Sequence, residues 1–327
     1  MPLVTIAIPT YDRLAYLKEA VDSALAQTYP HIEVVISDDG HQPDIAAFGR
    51  SLARTNTRVR YQRNPRTLGL AGNWNAAVAL ARGEYVIIIG DDDRLLPHFV
   101  ERLLEIAGGA DVVFSNQYLI DATGARLEAE SVELTRRFGR YHLPAGPVLR
   151  PGPVVWSNSV PMSAALVRTA AVRRLGFKED LNTPEIEMFT RLVAEGAHFA
   201  FCPEYLAEYR THSGSMTVVG HKTERLVPYL EVIPVDEETE PYKRQYIEPL
   251  LIDAVGRTLA AGKTMEARRL YDSCYYPPWF RLHLKVLVQR TCLALPGKLG
   301  IWSYRGLRAA SQRFTRTFRH YSVVQFD

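Results

Sequence analysis

The chain carries a β-branched run, Val86-Ile87-Ile88-Ile89, that breaks at Gly90 into three consecutive carboxylates, Asp91-Asp92-Asp93. A short continuous apolar run bounded by turn residues reads as a strand buried on both faces of a sheet. Three adjacent negative charges repel, so water, a helix N-terminus, a basic partner or a cation must offset them. A hard divalent cation such as Mn2+ or Mg2+ takes oxygen ligands of this kind. The plainer reading is a solvated acidic turn whose last Asp caps a helix starting near Pro97. The position favours a ligand, because open α/β sheets bind ligands beyond the carboxyl ends of their strands.

The segments before and after this run repeat the same arrangement. Leu3–Ile8 reads as a first strand ended by Pro9-Thr10, and Leu14, Leu17, Val21, Ala24 and Leu25 follow helical spacing. Ile32–Ile36 is a second strand, broken by Ser37-Asp38-Asp39-Gly40. Strand, helix, strand implies a parallel sheet with a right-handed crossover. Arg58–Gln62 is a third strand, Asn64–Asn75 an Asn- and Gly-rich loop, Trp74–Ala81 and Pro97–Ala107 helices, and Asp111–Ser115 a further strand. The loops at Pro9-Thr10-Tyr11, Ser37-Asp38-Asp39 and Asp91-Asp92-Asp93 then share one sheet edge and line one cleft. Gly124–Pro153 lacks clear periodicity and reads as loop. Ser163–Arg168 reads as a strand and Ala170–Leu175 as a helix. Ile186–Ala194 is a helix opened by Asn182-Thr183-Pro184-Glu185, followed by short strands at Phe199–Cys202 and Leu206–Arg210. Beyond about Met216 the texture becomes helical, with segments at His221–Val232, Tyr242–Ala261, Met265–Cys274, Trp279–Ala294 and Tyr304–Phe318.

At 327 residues with 47% hydrophobic and 23% charged side chains, the chain can bury a large core, which excludes wholesale disorder. The net charge of +3 is modest but unevenly spread: Pro278–Phe326 holds no Asp or Glu, against Arg281, Lys285, Arg290, Lys298, Arg305, Arg308, Arg313, Arg316 and Arg319. Trp279, Phe280, Leu284, Leu287, Trp302, Leu307 and Phe314 lie among these cations, a mixture that suits a helix in an anionic membrane interface. The alternative is helical packing with solvated Arg. Such a tail could face an anionic membrane surface or nucleic acid, and of the two the membrane, not nucleic acid, is the expected partner. Cys202, Cys274 and Cys292 are odd in number and far apart, which suits reduced thiols in the cytosol. Met1-Pro2-Leu3-Val4 leads straight into a strand and no apolar run approaches the ~20 residues that span a bilayer. The expected location is therefore cytoplasmic, with peripheral contact on the inner face of the membrane as the further expectation from the basic tail.

Several of these stretches together resemble the family 2 glycosyltransferases. The resemblance rests on Ile8-Pro9-Thr10-Tyr11-Asp12-Arg13, Ala26-Gln27-Thr28-Tyr29, Glu33 through Gly40, and Gly83 through Asp93. It continues through Gly176-Phe177, Arg191-Leu192, Gly196 and Tyr209-Arg210-Thr211-His212-Ser213-Gly214, and so covers roughly two thirds of the chain. It implies a GT-A fold: a Rossmann-like α/β architecture with a mostly parallel central sheet flanked by helices. The catalytic domain would be residues 1–215, with a nucleotide-sugar half to about residue 95 and an acceptor half beyond it. Residues 216–327 would form a helical, basic C-terminal extension.

The resemblance further implies transfer of a sugar from a nucleotide-diphosphate donor, with inversion and a divalent cation, Mn2+ or Mg2+. By position, Pro9, Thr10 and Tyr11 would lie beside the base, with Tyr11 stacking on it. Asp39 would accept an imide N–H, which suits uracil or thymine, with a UDP-sugar the expected donor. Asn75 would lie near the donor, Asp91 would contact the ribose and Asp92 would bind the metal. The sequence departs from the family at Gly90, where relatives have an acidic residue. The family's base is an Asp preceded by Glu and followed six residues later by Arg; counting back from Arg191 gives Glu185, preceded by Pro184. Glu187 is the substitute candidate, and a purely structural Glu185 would complement a helix dipole. His212 stands where relatives bring a His toward the metal or diphosphate, although a lone His in a polar loop is otherwise simply solvated. Arg210 either pairs with phosphate or packs along its strand.

The chemistry asks for the same parts. A departing diphosphate gains charge that a cation stabilises, and the attacking hydroxyl must give its proton to a carboxylate. The acceptor would be a glycan, a lipid-linked or a small-molecule hydroxyl in surface polysaccharide or glycoconjugate synthesis. Two other classes stay open. A nucleotidyltransferase would want a Gly-rich, Lys- or Arg-bearing loop after the first strand, which Pro9-Thr10-Tyr11-Asp12 does not supply. A catalytically weak homologue that binds glycan or partner proteins would be consistent with the altered Pro184-Glu185.

Overall fold

In the computed structural model, residues 1–212, 222–278, 284–295 and 299–318 are described, with side chains to residue 308. The chain divides into two units: residues 1–221 with 233–243, and residues 222–232 with 244–327.

The first unit is built on a mixed sheet. Its strands are β1 (Val4–Thr10), β2 (Ile32–Asp38), β3 (Val59–Arg63), β4 (Tyr85–Ile88), β5 (Arg94–Leu95), β6 (Val112–Ile120), β7 (Arg126–Leu127), β8 (Gly146–Val148), β9 (Ala165–Arg168) and β10 (Phe199–Arg210). The order is β3-β2-β1-β4-β9-β6-β10-β5, with β7 on β6 and β8 on β10. β1 runs parallel to β2 and β4, and β2 to β3. β10 is parallel to β6, while β9 lies antiparallel between β4 and β6. The helices are α1 (Leu14–Leu25), α2 (Pro43–Thr55), α3 (Leu70–Leu80), α4 (Phe99–Ala107), α5 (Glu128–Arg137), α6 (Pro151–Trp156), α7 (Thr169–Leu175) and α8 (Glu185–Ala194).

Alternation along the strands builds the core. Ile6, Ile8, Val34, Ile36, Ile87 and Ile89 join Leu17 and Val21 of α1, Ile45 of α2, and Phe99 and Leu103 of α4 in one buried cluster. Ala7, Val35 and Ile88 alternate to the other side and are also buried, and α3 packs against β1 and β2. Burial on both faces accounts for the continuous apolar runs. Each fully buried Leu, Ile or Phe side chain contributes about 1.5–3 kcal/mol.

Several elements differ from the sequence reading. β1 continues through Pro9, which pairs in register with Ser37. Ala7 faces β4, since its carbonyl accepts the N–H of Ile89 at 3.0 Å. In a parallel strand Pro9, two residues on, faces the same side, where pairing to β4 has already ended at Ile88, so its missing N–H orphans no acceptor. Helix α2 is absent from the sequence reading; Pro43 at its start, Asp44 in the first turn and buried Ile45, Ala46 and Gly49 were the available signals. α3 begins at Leu70 rather than near Trp74, after Gly69 at φ +79°. The stretch read as loop from Gly124 contains β7, α5 and β8. The two strands read at Phe199–Cys202 and Leu206–Arg210 are one strand, β10, whose pairing to β6 shifts register between Cys202 and Ala207, around Pro203.

The second unit is helical among its described residues: α9 (Thr223–Glu231), most of α10 (Glu240–Ala261), α11 (Thr264–Tyr271), α12 (Leu284–Ala294) and α13 (Leu299–Phe318). Leu226, Leu230, Leu251, Val255, Leu259, Leu270, Val286 and Leu293 are buried. Gln289 is buried too, accepting from Tyr276 Oη at 2.6 Å and donating to the Ile252 carbonyl at 2.7 Å. Leu284, Leu299, Trp302 and Leu307 are exposed. Ser213 and Gly214, Trp279, Phe280, Arg281, Lys298 and Arg319 lie outside the described residues, as do the side chains of Arg313, Phe314 and Arg316. No helix among the described residues is long and apolar enough to cross a membrane.

Candidate active site

Because β1, β2 and β4 are parallel and paired in register, with Thr10 opposite Asp38 and Ala7 opposite Ile88, the loops that follow them leave the same edge. Hydrogen bonds then stitch those loops together. The Thr10 hydroxyl donates to Asp91 Oδ2 at 2.7 Å and the Tyr11 N–H to the same oxygen at 3.1 Å. The Asp39 N–H donates to the Thr10 carbonyl at 3.0 Å, and Asn73 Nδ2 reaches that carbonyl at 3.3 Å. Pro9, Thr10, Tyr11, Asp39, Asp91 and Asp92 are therefore gathered at one edge of the sheet.

The three carboxylates of the acidic turn play different structural parts. Asp91 is buried, and burial pushes its pKa up to about 6, against the pull of Arg13. Asp92 is the outward one: its Oδ2 accepts from Arg13 Nη1 at 2.5 Å and from His212 Nε2 at 2.9 Å. The contact is a hydrogen bond when the His212 ring carries its proton on Nε2, and that nitrogen is free to act as a ligand when the proton is on Nδ1. Arg13 also spans to Asp91 Oδ1 at 3.0 Å, so one guanidinium answers two of the three charges. Asp93 turns inward, accepting from Ser163 Oγ at 2.5 Å and from the Arg210 N–H at 3.0 Å. Burial, then the nearby Asp92, raises its pKa. It does not cap the following helix; α4 is preceded by His98, whose side chain makes no capping bond.

Gly90 opens the turn close to the carboxylates that follow. A Cβ there would lie 2.5 Å from Asp92 Oδ1 and 3.1 Å from Asp93 Oδ2. A side chain at that point would need the Asp92 carboxylate to turn from its observed aim.

Asp92 and His212 supply a carboxylate oxygen and an imidazole nitrogen within reach of one cation. Two protein ligands fit a cation that fills its other positions with water and substrate phosphates. Among the described residues, no group of three or more His, Cys, Asp or Glu side chains is disposed to hold a metal by itself. The donor set thus suits a substrate-bridged cation and not a closed cage.

The other predicted residues are placed as follows. Asp39 Oδ1 accepts from Asn64 Nδ2 at 2.9 Å and the Leu68 N–H at 2.8 Å, while Oδ2 accepts the Gly69 N–H at 2.9 Å. It thereby ties down the loop before α3, with one carboxylate lone-pair direction left over. Tyr11 is 49% exposed, its ring edge-on to His41. Asn75 is spent on Phe177, donating to its carbonyl at 2.9 Å and accepting its N–H at 2.8 Å. That exchange clamps the loop after α7 to α3, and the loop passes Gly72, where an added Cβ would sit 3.9 Å from Glu179 Cδ.

The same loop ends at Glu185, the first residue of α8, with Pro184 before it. Glu185 keeps a partial opening to solvent, yet desolvation pushes its carboxyl up to about 7, opposed only by its own backbone N–H. Glu187 is committed elsewhere: it is buried and paired with Arg191 at 2.7 Å, which also donates to the Leu175 and Gly176 carbonyls. Trp156 is buried, and Trp74 stacks edge-on against Phe177.

Two arginines complete the site. Arg210 is buried along its strand, bonding the Asp92 carbonyl at 2.8 Å and Glu19 at 2.6 Å, with Tyr16 stacked on it. Arg13 received no role from the sequence; a basic partner for the acidic turn was foreseen, but only the fold shows which residue supplies it.

Residues 5–149 match the family model described as Glycosyl transferase family 2. An uncharacterized glycosyltransferase of Methanocaldococcus jannaschii is 25% identical over 70% of this chain and 77% of its own length. Two further curated glycosyltransferases are spanned for only 40% and 37% of their lengths. Staphylococcus aureus TarS residues 1–349, solved with UDP-GlcNAc, superposes with a TM-score of 0.64 at 14% identity, covering 99% of this chain and 94% of that one. The mannosyltransferase PcManGT of Pyrobaculum calidifontis, solved with GDP-Man and Mn2+, gives 0.56 at 16% identity over 89% and 87%. Residues 5–149 thus match the family 2 glycosyltransferases, and the fold is GT-A-like.

Proposed function

We propose that this chain is an inverting transferase that moves a sugar from a UDP-sugar to an acceptor hydroxyl, with Glu185 as base and a cation at Asp92 and His212. The observation that carries the reading is the hydrogen-bonded edge on which Thr10, Tyr11, Asp39, Asp91, Asp92 and His212 meet. Exposed Tyr11 offers a face for a base to stack on, and the remaining lone-pair direction of buried Asp39 suits an imide N–H. Asp91, held by Thr10 and Tyr11, is the proposed ribose contact. A divalent cation bound there would stabilise the charge that builds on the leaving diphosphate. Glu185, with a pKa near 7, is poised to take the acceptor proton near neutral pH, an effect on the order of 10²–10⁴ in rate. The spent carboxylate of Glu187 favours Glu185 over it. TarS was solved with UDP-GlcNAc and the Pyrobaculum enzyme with Mn2+, which supports a nucleotide-sugar and a cation in this fold.

The acceptor is proposed to be a glycan or lipid-linked hydroxyl, and the unit at residues 222–232 and 244–327 to be a basic extension that touches an anionic membrane. Exposed Trp302, Leu299 and Leu307 beside exposed Arg305 and Arg308 support that contact. The deciding experiment is a thermal-shift panel of nucleotide sugars with and without Mn2+, run on the wild type and on Asp92→Asn. A UDP-sugar should stabilise the wild type more with Mn2+ than without, and the difference should vanish in the variant. No response to any nucleotide sugar would overturn the reading.

A further inference from the structure

We infer that Arg13 is a built-in rival of the divalent cation: it occupies Asp92 in the free protein and withdraws when the nucleoside diphosphate arrives. The inference rests on the metal reading above. Arg13 Nη1 stands 2.5 Å from Asp92 Oδ2, the oxygen that would ligate the cation, and Nη2 stands 3.0 Å from Asp91 Oδ1. His212 Nε2 approaches the same Asp92 oxygen at 2.9 Å, and Arg13 Nη1 lies 3.4 Å from it. The guanidinium therefore flanks both proposed ligands and crowds the space beside them that a cation bound to both would need. A cation bonded to that oxygen at about 2.0–2.2 Å would meet a like charge in contact. The two cannot share the site.

Arg13 is also placed to leave. It precedes α1 and follows Asp12, whose left-handed backbone at φ 55° and bonds to the His41 and Gln42 N–H groups fix the chain at that corner. The side chain itself is 36% exposed, so it can swing outward without dismantling buried packing. A diphosphate offers the released guanidinium paired anionic oxygens, a partner it binds through two parallel N–H bonds. Metal and nucleotide are then coupled: each removes the obstacle to the other. In the free protein Arg13 offsets part of the charge of the acidic turn without metal, which opposes adventitious cation binding.

The test is Mn2+ affinity, read by electron paramagnetic resonance of free Mn2+, for wild type, Arg13→Gln and Arg13→Lys, each with and without UDP. Without UDP, Arg13→Gln should bind Mn2+ at least tenfold more tightly than wild type, and Arg13→Lys should stay within about threefold of it. UDP should tighten Mn2+ binding at least tenfold in wild type and far less in Arg13→Gln. Equal Mn2+ affinities in wild type and Arg13→Gln, with binding still lost in Asp92→Asn, would sink the inference while leaving the metal site standing. Absence of Mn2+ binding in all proteins even with UDP would instead remove the metal reading and this inference with it. In the unmodified protein, saturating Mn2+ should raise the phenylglyoxal reactivity of Arg13 in peptide mapping; no increase counts against the idea whatever the variants do.

Discussion

Replacing Glu185 by Gln should stabilise the protein and disable it at once. Burial raises the carboxyl from its ordinary value near 4.5 to about 7, so the folded chain holds a proton that the unfolded chain has released. Below pH 4.5 both states are protonated and the group costs nothing. Between 4.5 and 7 the native state becomes progressively less stable, and above 7 the full penalty applies. A shift of that size, at 1.36 kcal/mol per pH unit and discounted for partial solvent access, amounts to about 2–3 kcal/mol. Gln keeps the shape and removes the charge. The variant should therefore melt roughly 5–10 °C above wild type at pH 8 and level with it at pH 4. Sugar transfer by the variant should fall on the order of 10²–10⁴-fold, and wild-type kcat should rise with pH until about 7 and then level. Differential scanning calorimetry at the two pH values, paired with a transfer assay, checks both halves. If wild type and variant melt together at pH 8, the carboxyl is not desolvated and the argument for a tuned base fails. A stability gain without loss of transfer would keep the burial and remove the catalytic role.

Asp39→Asn exchanges an acceptor for a donor facing the Leu68 and Gly69 N–H groups, and should cost about 1–3 kcal/mol in chemical denaturation while weakening UDP in calorimetric titration. Arg210→Met leaves the Asp92 carbonyl without its side-chain donor and Glu19 with Arg94 alone; a loss of about 1–3 kcal/mol is expected, together with weaker Mn2+ binding as the acidic turn loosens. Flotation with liposomes should show binding to anionic vesicles that falls with added salt, and equal partitioning onto neutral vesicles would remove the membrane contact.

How much of this was legible beforehand depended on whether a signal was local. Val86–Ile89 and Ile32–Ile36 announced buried parallel strands through composition alone, and the acidic and polar loops after them could be placed at one edge from strand direction. Helix α2 escaped because Arg50, Ser51, Arg54 and Thr55 dilute its apolar stripe, and only packing on the sheet decides its state. The tail of β6, Asn116–Leu119, reads as polar and forms a strand because β10 continues beside it. Within the site, Asp91, Asp92 and Asp93 look alike in sequence. Their division into a braced, an outward and an inward carboxylate comes from Thr10, His212 and Ser163, which are distant along the chain. The pairing of Arg13 with two of them is likewise a product of the fold.

Gly90 bears on how this protein should be engineered. An acidic residue placed there would bring its Cβ against the Asp92 carboxylate, which would have to turn aside, and that carboxylate is the one proposed to hold the cation. Variation at this turn is better sought in residues 13 and 212, whose side chains meet the outward carboxylate from outside the turn.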